Sequence, residues 1–468
     1  MRNASYDTFL LAVFLGAVAL QALFWRLGSG FRSAERKAGS YRAASGQGTS
    51  SKLPMTGGPA MALTAVLGGA WAFHHYWGGA APWPVALAVA GFAVVGFLDD
   101  FGKFRGKGLS QHVKTLGCLA VSAAVAAALC ARGASGVSPA LAARWAAETA
   151  FLFCFSVAAD FSDGIDGLAA GLGALCAMAM GLAALTVHRV GGAIWGLALV
   201  TILAFLPFNL PSAWTSRGTA RRRARVYLGD SGALAMGGGM AAAALWLHMG
   251  WIFLPAAGVW LVEGWSSGWQ AEFLVKRVYR RFGRVERYGA DAAPHVEFPL
   301  PLLAAPIHHH FEMAGWDRIR VVSLFYAVAA VCAAGAVAAA REGPALAVGC
   351  GVAAAALAAL WSLAGIYRTF YLAVGDAGAL TLNSGLPFRL QSLRYHKVAR
   401  VTGLSAADLT ADERLWLYRP MPRPDASEML VRLLAAHGRT EEAAAVAAGL
   451  PEAMRQMRLA DVSLEVAP

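Results

Sequence analysis

Six aspartates stand in short polar motifs that interrupt long apolar runs. They are Asp99, Asp100, Asp160, Asp163, Asp166 and Asp230. One acid at a helix end is most simply a cap or a solvated boundary residue. Several acids at one depth repel each other unless a cation joins them. Hard oxygen ligands without thiolates favour Mg²⁺ or Mn²⁺, and Mg²⁺ typically binds one or two carboxylates together with substrate phosphates. The set therefore predicts metal-assisted chemistry on a phosphate.

Three consecutive histidines, His308, His309 and His310, follow Pro306-Ile307. Zinc is one interpretation, but adjacent side chains on a regular element diverge and rarely bind one metal together. Donation to a phosphate or a nucleotide fits the run better. The six cysteines all lie in apolar runs without metal-ligand spacing, so we read them as small buried side chains.

Membrane-spanning helices must position these residues. Hydrophobic residues make up 57% of the chain and charged residues only 15%, and the mean hydropathy is +0.51. A soluble protein of this length is closer to half apolar and a quarter charged. Runs long enough to span a bilayer centre on 7–25, 59–76, 82–98, 114–131, 146–160, 167–187, 191–208, 231–249, 251–270, 319–340 and 345–366. We therefore predict a polytopic membrane protein with a retained first span.

The charge distribution predicts its orientation. The chain has a net charge of +12, and its lysines and arginines cluster in alternate loops, such as 32–52, 103–114, 217–225 and 276–287. Cytoplasmic loops collect Lys and Arg, so these loops and the polar motifs beside them are expected in the cytoplasm. Nucleic acid is not an expected partner, because no basic stretch carries interleaved aromatics or a known binding module.

Beyond about residue 373 the composition becomes polar and acidic. Segments 427–437 and 440–447 have the pattern of two short amphipathic helices joined at Gly438. We predict three regions: a transmembrane enzyme domain over 1–341, an extra span over 342–372 and a small helical cytoplasmic tail over 373–468.

The motifs together resemble the polyprenyl-phosphate N-acetylhexosamine-1-phosphate transferase superfamily, and within it the phospho-N-acetylmuramoyl-pentapeptide transferase family. The resemblance covers roughly residues 5–341 in motif order. Its motifs are Phe97-Leu98-Asp99-Asp100 with Lys103, Ser162-Asp163-Gly164-Ile165-Asp166-Gly167, Leu228-Gly229-Asp230-Ser231-Gly232 and Pro306-Ile307-His308-His309-His310-Phe311-Glu312. The histidine motif favours the muramoyl-pentapeptide branch.

The resemblance implies an all-α enzyme of about ten spans in the inner membrane, usually a homodimer, with a cytoplasmic active site. It implies a UDP-sugar donor, UDP-N-acetylmuramoyl-pentapeptide, an undecaprenyl phosphate acceptor, and lipid I and UMP as products. By motif, Asp99 and Asp100 would lie near the lipid phosphate.

The remaining roles also follow from the resemblance. Asp230 would be the main Mg²⁺ ligand, and Asp163 and Asp166 would belong to the metal and nucleotide shell. Asn209 and Lys103 would contact nucleotide and phosphate. The three histidines would lie on the nucleotide-sugar side.

Four departures separate this chain from the family pattern. Asp160 replaces the family's Asn, the loop after the Asp-Asp pair is shorter, an arginine-rich stretch is inserted over 215–226, and Lys52 is displaced. Asp160 remains a candidate substrate-binding residue with added negative charge. The extra span and the tail have no counterpart in the family pattern.

Three other functions stay open. One is a sister transferase that moves GlcNAc-1-phosphate. Another is a divergent membrane scaffold that recruits cell-wall synthesis proteins through the tail, although the retained aspartates oppose it. A third is an ion or metal transporter, which would place its acids near mid-span rather than at helix ends.

Overall fold

The structure is a computed structural model. It describes residues 2–28, 32–33, 53–74, 82–105, 107–132, 138–187, 189–210, 224–269, 305–313, 316, 318–343, 345–346, 348–349, 352–353, 356, 369–375, 378–390, 393–414, 416–418 and 421–448. Two compact units result. The first takes its described residues from 1–38, 48–265 and 322–357, and the second from 39–47, 266–321 and 358–468.

Helices dominate the described residues up to 342. They are α1 (Arg2–Leu27), α2 (Gly57–Ala72), α3 (Trp83–Phe104), α4 (Gln111–Cys130), α5 (Pro139–Phe161), α6 (Leu168–Val187), α7 (Arg189–Asn209), α8 (Gly229–Trp246), α9 (Gly250–Ala256), α10 (Gly258–Ser267), α11 (Ile307–Met313) and α12 (Arg318–Glu342). Two short strands, β1 (Arg32–Ser33) and β2 (Leu53–Pro54), pair antiparallel.

Helix ends are set by local chemistry. Ser110 and Ser138 each accept a backbone N–H at the start of α4 and α5, and prolines open α3 and α5. The predicted ninth span, 251–270, is divided: α9 ends at Ala256, directly after Pro255, and α10 begins at Gly258. A proline inside a helix removes a backbone donor and crowds the preceding turn, which fits a break here.

Seven described helices are long and apolar enough to cross a membrane. They are Tyr6–Leu27, Trp83–Phe104, Gln111–Cys130, Pro139–Phe161, Leu168–Thr186, Gly191–Asn209 and Arg318–Glu342. A polytopic membrane region built from α-helices is confirmed. The number of spans stays a prediction, and most of the eleventh, 342–372, lies outside the described residues.

The tail contains a sheet that the sequence reading missed. Strands β3 (Thr369–Val374), β4 (Ala379–Leu390), β5 (Leu393–Ser405) and β6 (Met421–Pro422) form an antiparallel sheet in the order β5-β4-β3-β6. The two expected helices are present as α14 (Arg423–Ala436) and α15 (Thr440–Ala447), after a short α13 (Ala411–Arg414). The tail therefore contains the expected helices together with a sheet that the expectation of a helical tail did not include.

Leucines hold the tail together. Leu372, Leu380 and Leu404 from the sheet pack with Leu430 and Leu434 of α14 in one buried cluster. Because an antiparallel sheet with one apolar face must cover that face, the two amphipathic helices supply its second layer.

Topology provides a first test. We expect residues 373–468 in the cytoplasm, because the charge bias places the N-terminus outside and an odd number of spans then places the tail inside. An alkaline phosphatase fused to the C-terminus should be inactive and a fluorescent protein fused there bright. Fusions in the loop at 78–82, which is expected on the opposite face, serve as the control, and the reverse pattern would refute an eleven-span chain.

Candidate functional site

Four helix ends of the first unit bring three carboxylates and two ammonium groups together. Asp99 and Lys103 lie in the last turns of α3, and Lys103 Nζ is 2.8 Å from Asp99 Oδ2. The same Nζ lies 2.7 Å from Oδ2 of Asp230, in the first turn of α8. Lys114, in the first turn of α4, lies 2.6 Å from Asp160 Oδ2 at the end of α5 and also contacts Asp230 Oδ2. One carboxylate oxygen of Asp230 is therefore shared by both lysines.

Lys114 is the residue that the sequence reading missed as part of the site. It was counted only among the cytoplasmic loop cations. The available signal was its position in the first turn of a membrane helix, since an ionisable group at membrane depth normally marks a functional site. The structure adds it as the bridge between Asp160 and Asp230, with a third carboxylate, Asp99, 3.9 Å away.

The two adjacent aspartates of α3 have different hydrogen-bond partners. Asp99 accepts a hydrogen bond from Leu109 N at 2.6 Å and pairs with Lys103. Asp100 accepts from the backbone N–H groups of Asp230 at 3.2 Å and Ser231 at 3.0 Å. Those N–H groups are unpaired donors at a helix N-terminus, where a carboxylate is favourable. Asp100 therefore fixes the start of the helix that carries Asp230.

Close contact at this point depends on glycine. Gly229 has a φ of +69°, a conformation that other residues rarely adopt, and a Cβ there would lie 2.7 Å from Asp100 Oδ2. At Gly96, on α3, a Cβ would collide with the backbone of Asp230 and Ser231. The glycines of the motif are needed for the α3–α8 contact itself.

The remaining motif residues shape the loop before α6. Asn209 is buried, and its side chain accepts from Gly167 N at 2.8 Å and donates to Val226 O at 3.1 Å. Asp166 accepts from Ala224 N at 3.2 Å. Desolvation by the surrounding protein raises the pKa of Asp163 well above its usual range, and the charge of Asp160 raises it further. Asn209 and Asp166 thus tie the loop to the chain before α8.

The site suits a hard cation by donor type, but its carboxylates are engaged with lysines. Among the described residues, no group of three or more His, Cys, Asp or Glu side chains is arranged to hold a metal ion. Asp230 and Asp163 supply carboxylate oxygens of the kind Mg²⁺ prefers. A metal bound to Oδ2 of Asp230 would displace one of the lysines from that shared oxygen.

The histidine motif forms α11 in the second unit. His308 and His310 are buried, whereas His309 Nδ1 lies 2.7 Å from Glu312 Oε2. Burial lowers the pKa of His310 to about 4. Burial alone would raise the pKa of Glu312, but its hydrogen bond with His309 and the positive charge of Arg318, 3.0 Å away, lower it to about 2.

The structure shows the three histidines in unlike surroundings. The rings of His308 and His309 have centroids 4.1 Å apart, and the His310 ring contacts that of Phe311 at 5.4 Å. Helix α11 is also tied to the end of α10, because Ile307 N donates to Ser266 Oγ at 3.1 Å. The roles inferred for the histidines toward a nucleotide sugar remain predictions.

Comparison with known proteins agrees with the motifs. The family described as Glycosyl transferase family 4 matches residues 82–248, which include every aspartate and lysine of the cluster. A phospho-N-acetylmuramoyl-pentapeptide-transferase of Desulforudis audaxviator is 32% identical over 274 residues, covering 53% of this chain and 72% of the relative. The protein of the same name from Listeria monocytogenes serotype 4b is 29% identical over 262 residues, with the same coverage.

A third relative of that name, from Picosynechococcus, is 30% identical over 266 residues, or 52% of this chain and 63% of the relative. The three relatives share the transferase name, and the family match covers the region that holds the acidic cluster. The chain belongs to the phospho-N-acetylmuramoyl-pentapeptide transferase family, within glycosyltransferase family 4.

Proposed function

We propose that the protein transfers phospho-N-acetylmuramoyl-pentapeptide from its UDP derivative to undecaprenyl phosphate, giving lipid I and UMP. The observation that supports this most is the pair of ammonium groups, Lys103 and Lys114, gathered on Asp230 at the ends of membrane helices. A phosphate on a lipid and a water-soluble nucleotide can meet only at such a boundary.

The charges suit the reaction. An oxygen of the lipid phosphate attacks the β-phosphorus of the donor, and the bond from that phosphorus to the UMP oxygen breaks. Two anions must therefore approach each other, and their repulsion must be offset. Lys103 and Lys114 can donate to phosphate oxygens, and fixed cations aimed at developing charge are an effective form of catalysis.

The cofactor that we propose is Mg²⁺. Asp230 would hold it together with Asp163, with Asp99 close to the lipid phosphate. A bound Mg²⁺ would screen the diphosphate and stabilise negative charge on the leaving UMP. Asp100 contributes indirectly, because its carboxylate already holds the start of α8.

The location and orientation of the protein are proposed from the charge of its loops. We place the protein in the inner membrane, with the acidic cluster at the cytoplasmic face, because the neighbouring loops are basic. We also propose that the protein forms a homodimer and that its tail binds proteins of cell-wall synthesis.

The decisive experiment is donor-dependent release of UMP. Purified protein with undecaprenyl phosphate should release UMP from UDP-N-acetylmuramoyl-pentapeptide, and chelation of divalent cations should stop it. UDP-GlcNAc is the matched donor control. Turnover with UDP-GlcNAc alone would assign the chain to the sister branch, and no turnover with either donor would favour a scaffold.

Asp160, where the family has Asn, gives a second prediction. We expect Asp160→Asn to raise the Mg²⁺ concentration needed for half-maximal rate about three- to tenfold. Lys114 pairs with both Asp160 and Asp230, so losing one carboxylate leaves its charge acting more fully on the proposed metal ligand. The measurement is transferase rate against Mg²⁺ concentration.

The control for this variant is Asp7→Asn, which alters an exposed acid on α1. Superimposable Mg²⁺ curves for wild type and Asp160→Asn would refute a link between Asp160 and the metal. Donor specificity should change less than the metal requirement, since the amide keeps the size of the carboxylate.

A further inference from the structure

The short loop that leads into α6 carries two of the proposed site residues, Asp163 and Asp166, and ends at Gly167. Gly167 directly precedes the helix, and its φ of +84° is a conformation that residues with a side chain rarely adopt. A glycine has no side-chain oxygen with which to cap a helix, as Ser110 and Ser138 do for α4 and α5. The groups that hold this helix start must therefore come from elsewhere in the chain.

Side chains from two other helices hold the two backbone groups of Gly167. Asn209, at the end of α7, accepts a hydrogen bond from its N–H at 2.8 Å. Tyr326, on α12, donates its hydroxyl to the Gly167 carbonyl at 2.6 Å. The same carbonyl accepts from Gly171 N at 2.9 Å, within the first turn of α6. Both lone pairs of this carbonyl oxygen are therefore in use.

Holding both groups has a geometric consequence. Glycine rotates about φ and ψ more freely than other residues, so the peptide planes on its two sides turn independently unless each has a partner. Asn209 fixes the plane shared with Asp166, and Tyr326 fixes the plane shared with Leu168. Together they set the angle at which the loop with Asp163 and Asp166 meets α6.

Helix α6 leaves space for the tyrosine hydroxyl. A Cβ at Gly171 would overlap both the hydroxyl and the ring of Tyr326. Further along the same helix, a Cβ at Gly181 would make only ordinary contact, 3.5 Å from Trp195 Cβ. The absence of a side chain at Gly171 is therefore needed for the contact between α12 and the loop.

We propose that Tyr326 is a positioning residue for the donor side of the reaction. Its hydroxyl holds the loop of Asp163 and Asp166 in the geometry that binds the nucleotide of the donor. It acts through the Gly167 carbonyl and does not contact the substrate. The role of the loop rests on the proposed function. Binding of the acceptor lipid, whose phosphate is placed near Asp99, should not depend on Tyr326.

The test removes one hydroxyl group at a time. Tyr326→Phe deletes the donor and keeps the ring. Tyr6→Phe is the matched control, because the half-buried Tyr6 also donates its hydroxyl to a backbone carbonyl, Ala193 O, at 2.6 Å. We expect Tyr326→Phe to weaken the binding of UMP in the presence of Mg²⁺, measured by calorimetry, and to raise KM for the donor, each about fivefold. KM for undecaprenyl phosphate should stay unchanged, as should every parameter of Tyr6→Phe.

Gly171→Ala tests the same contact from α6. The added methyl group displaces the tyrosine without changing its chemistry, and Gly181→Ala is the control on the same helix. We expect Gly171→Ala to lower the affinity for UMP at least as much as Tyr326→Phe does, and Gly181→Ala to leave it unchanged. If Gly171→Ala does not fold, Tyr326→Phe with its own control decides the question.

Amide hydrogen exchange without nucleotide separates this proposal from the proposed function. The N–H groups of Gly167 and Gly171 should exchange about fivefold faster in Tyr326→Phe than in wild type. Faster exchange in a protein that binds no UMP would support the hold on the loop and count against the proposed function. Unchanged exchange at both residues, unchanged UMP affinity in Tyr326→Phe, or an equal rise in KM for both substrates would each overturn the positioning role.

Discussion

Asp230→Asn is expected to reduce UMP release by at least about 10³-fold while the protein stays folded. Lys103 and Lys114 both contact Asp230 Oδ2, and the carboxylate of Asp230 is the proposed main ligand of the metal. The amide keeps the size of the side chain but loses the charge that holds these cations in place. The measurement is UMP release by purified variant, with thermal unfolding in the same detergent as the test of folding.

The matched control is Asp408→Asn, which makes the same chemical change at an exposed position of the tail. It should leave both rate and unfolding temperature unchanged. Turnover of Asp230→Asn close to that of wild type would remove Asp230 from the site and with it the proposed metal position.

Lys114→Met is expected to lower the rate about 10²-fold or more, the usual effect of losing a group that stabilises developing charge. Methionine keeps much of the apolar length of lysine but removes the ammonium group that bridges Asp160 and Asp230. Those two carboxylates would then face each other with less compensation. Steady-state rates with saturating donor and acceptor measure the effect.

Lys107→Met is the control, because Lys107 is exposed in the segment between α3 and α4. If both substitutions lower the rate equally, the effect belongs to the general basicity of that segment. Lys114→Arg keeps the positive charge but changes the shape of the cationic group. Restored activity in this variant would show that the site requires the charge of Lys114 rather than the geometry of its ammonium group.

The membrane helices could be predicted because their signal is local. The ends of runs such as 167–187 and 191–208 agree with those of α6 and α7 to within a residue or two. The agreement is expected, because an apolar run of bilayer length usually forms a membrane-spanning helix. The division between α9 and α10 was harder to predict from the sequence. Pro255 stands in an uninterrupted apolar run, and hydropathy does not record a break in the backbone.

Lys114 shows why part of the site was missed. A lysine beside a cytoplasmic loop is fully explained by the bias of such loops toward positive charge. Its contact with Asp230 joins positions 116 residues apart, and only the packing of α4 beside α5 and α8 brings them together. Asp160 and Asp230 were identified as candidates, but their shared counter-ion was not.

The tail sheet was missed for a different reason. Thr369–Val374 is rich in aromatic and β-branched residues and leads into the turn before Ala379, which is a strand signal. It follows directly on the apolar segment read as an eleventh span. The predicted boundary between the eleventh span and the tail was placed where the composition changes, at about residue 373. This position lies inside β3, so most of the first strand of the sheet was assigned to the membrane.

The contact between Asp100 and the start of α8 has a mechanical consequence. Gly96 leaves no room for a side chain between α3 and α8, and a Cβ at Gly58, on α2, would likewise collide with Gly232. Segments locked by backbone contact and a carboxylate clamp move as one rigid body rather than sliding past each other. The Lys114 side chain, which reaches the cluster from α4, is not part of this clamp.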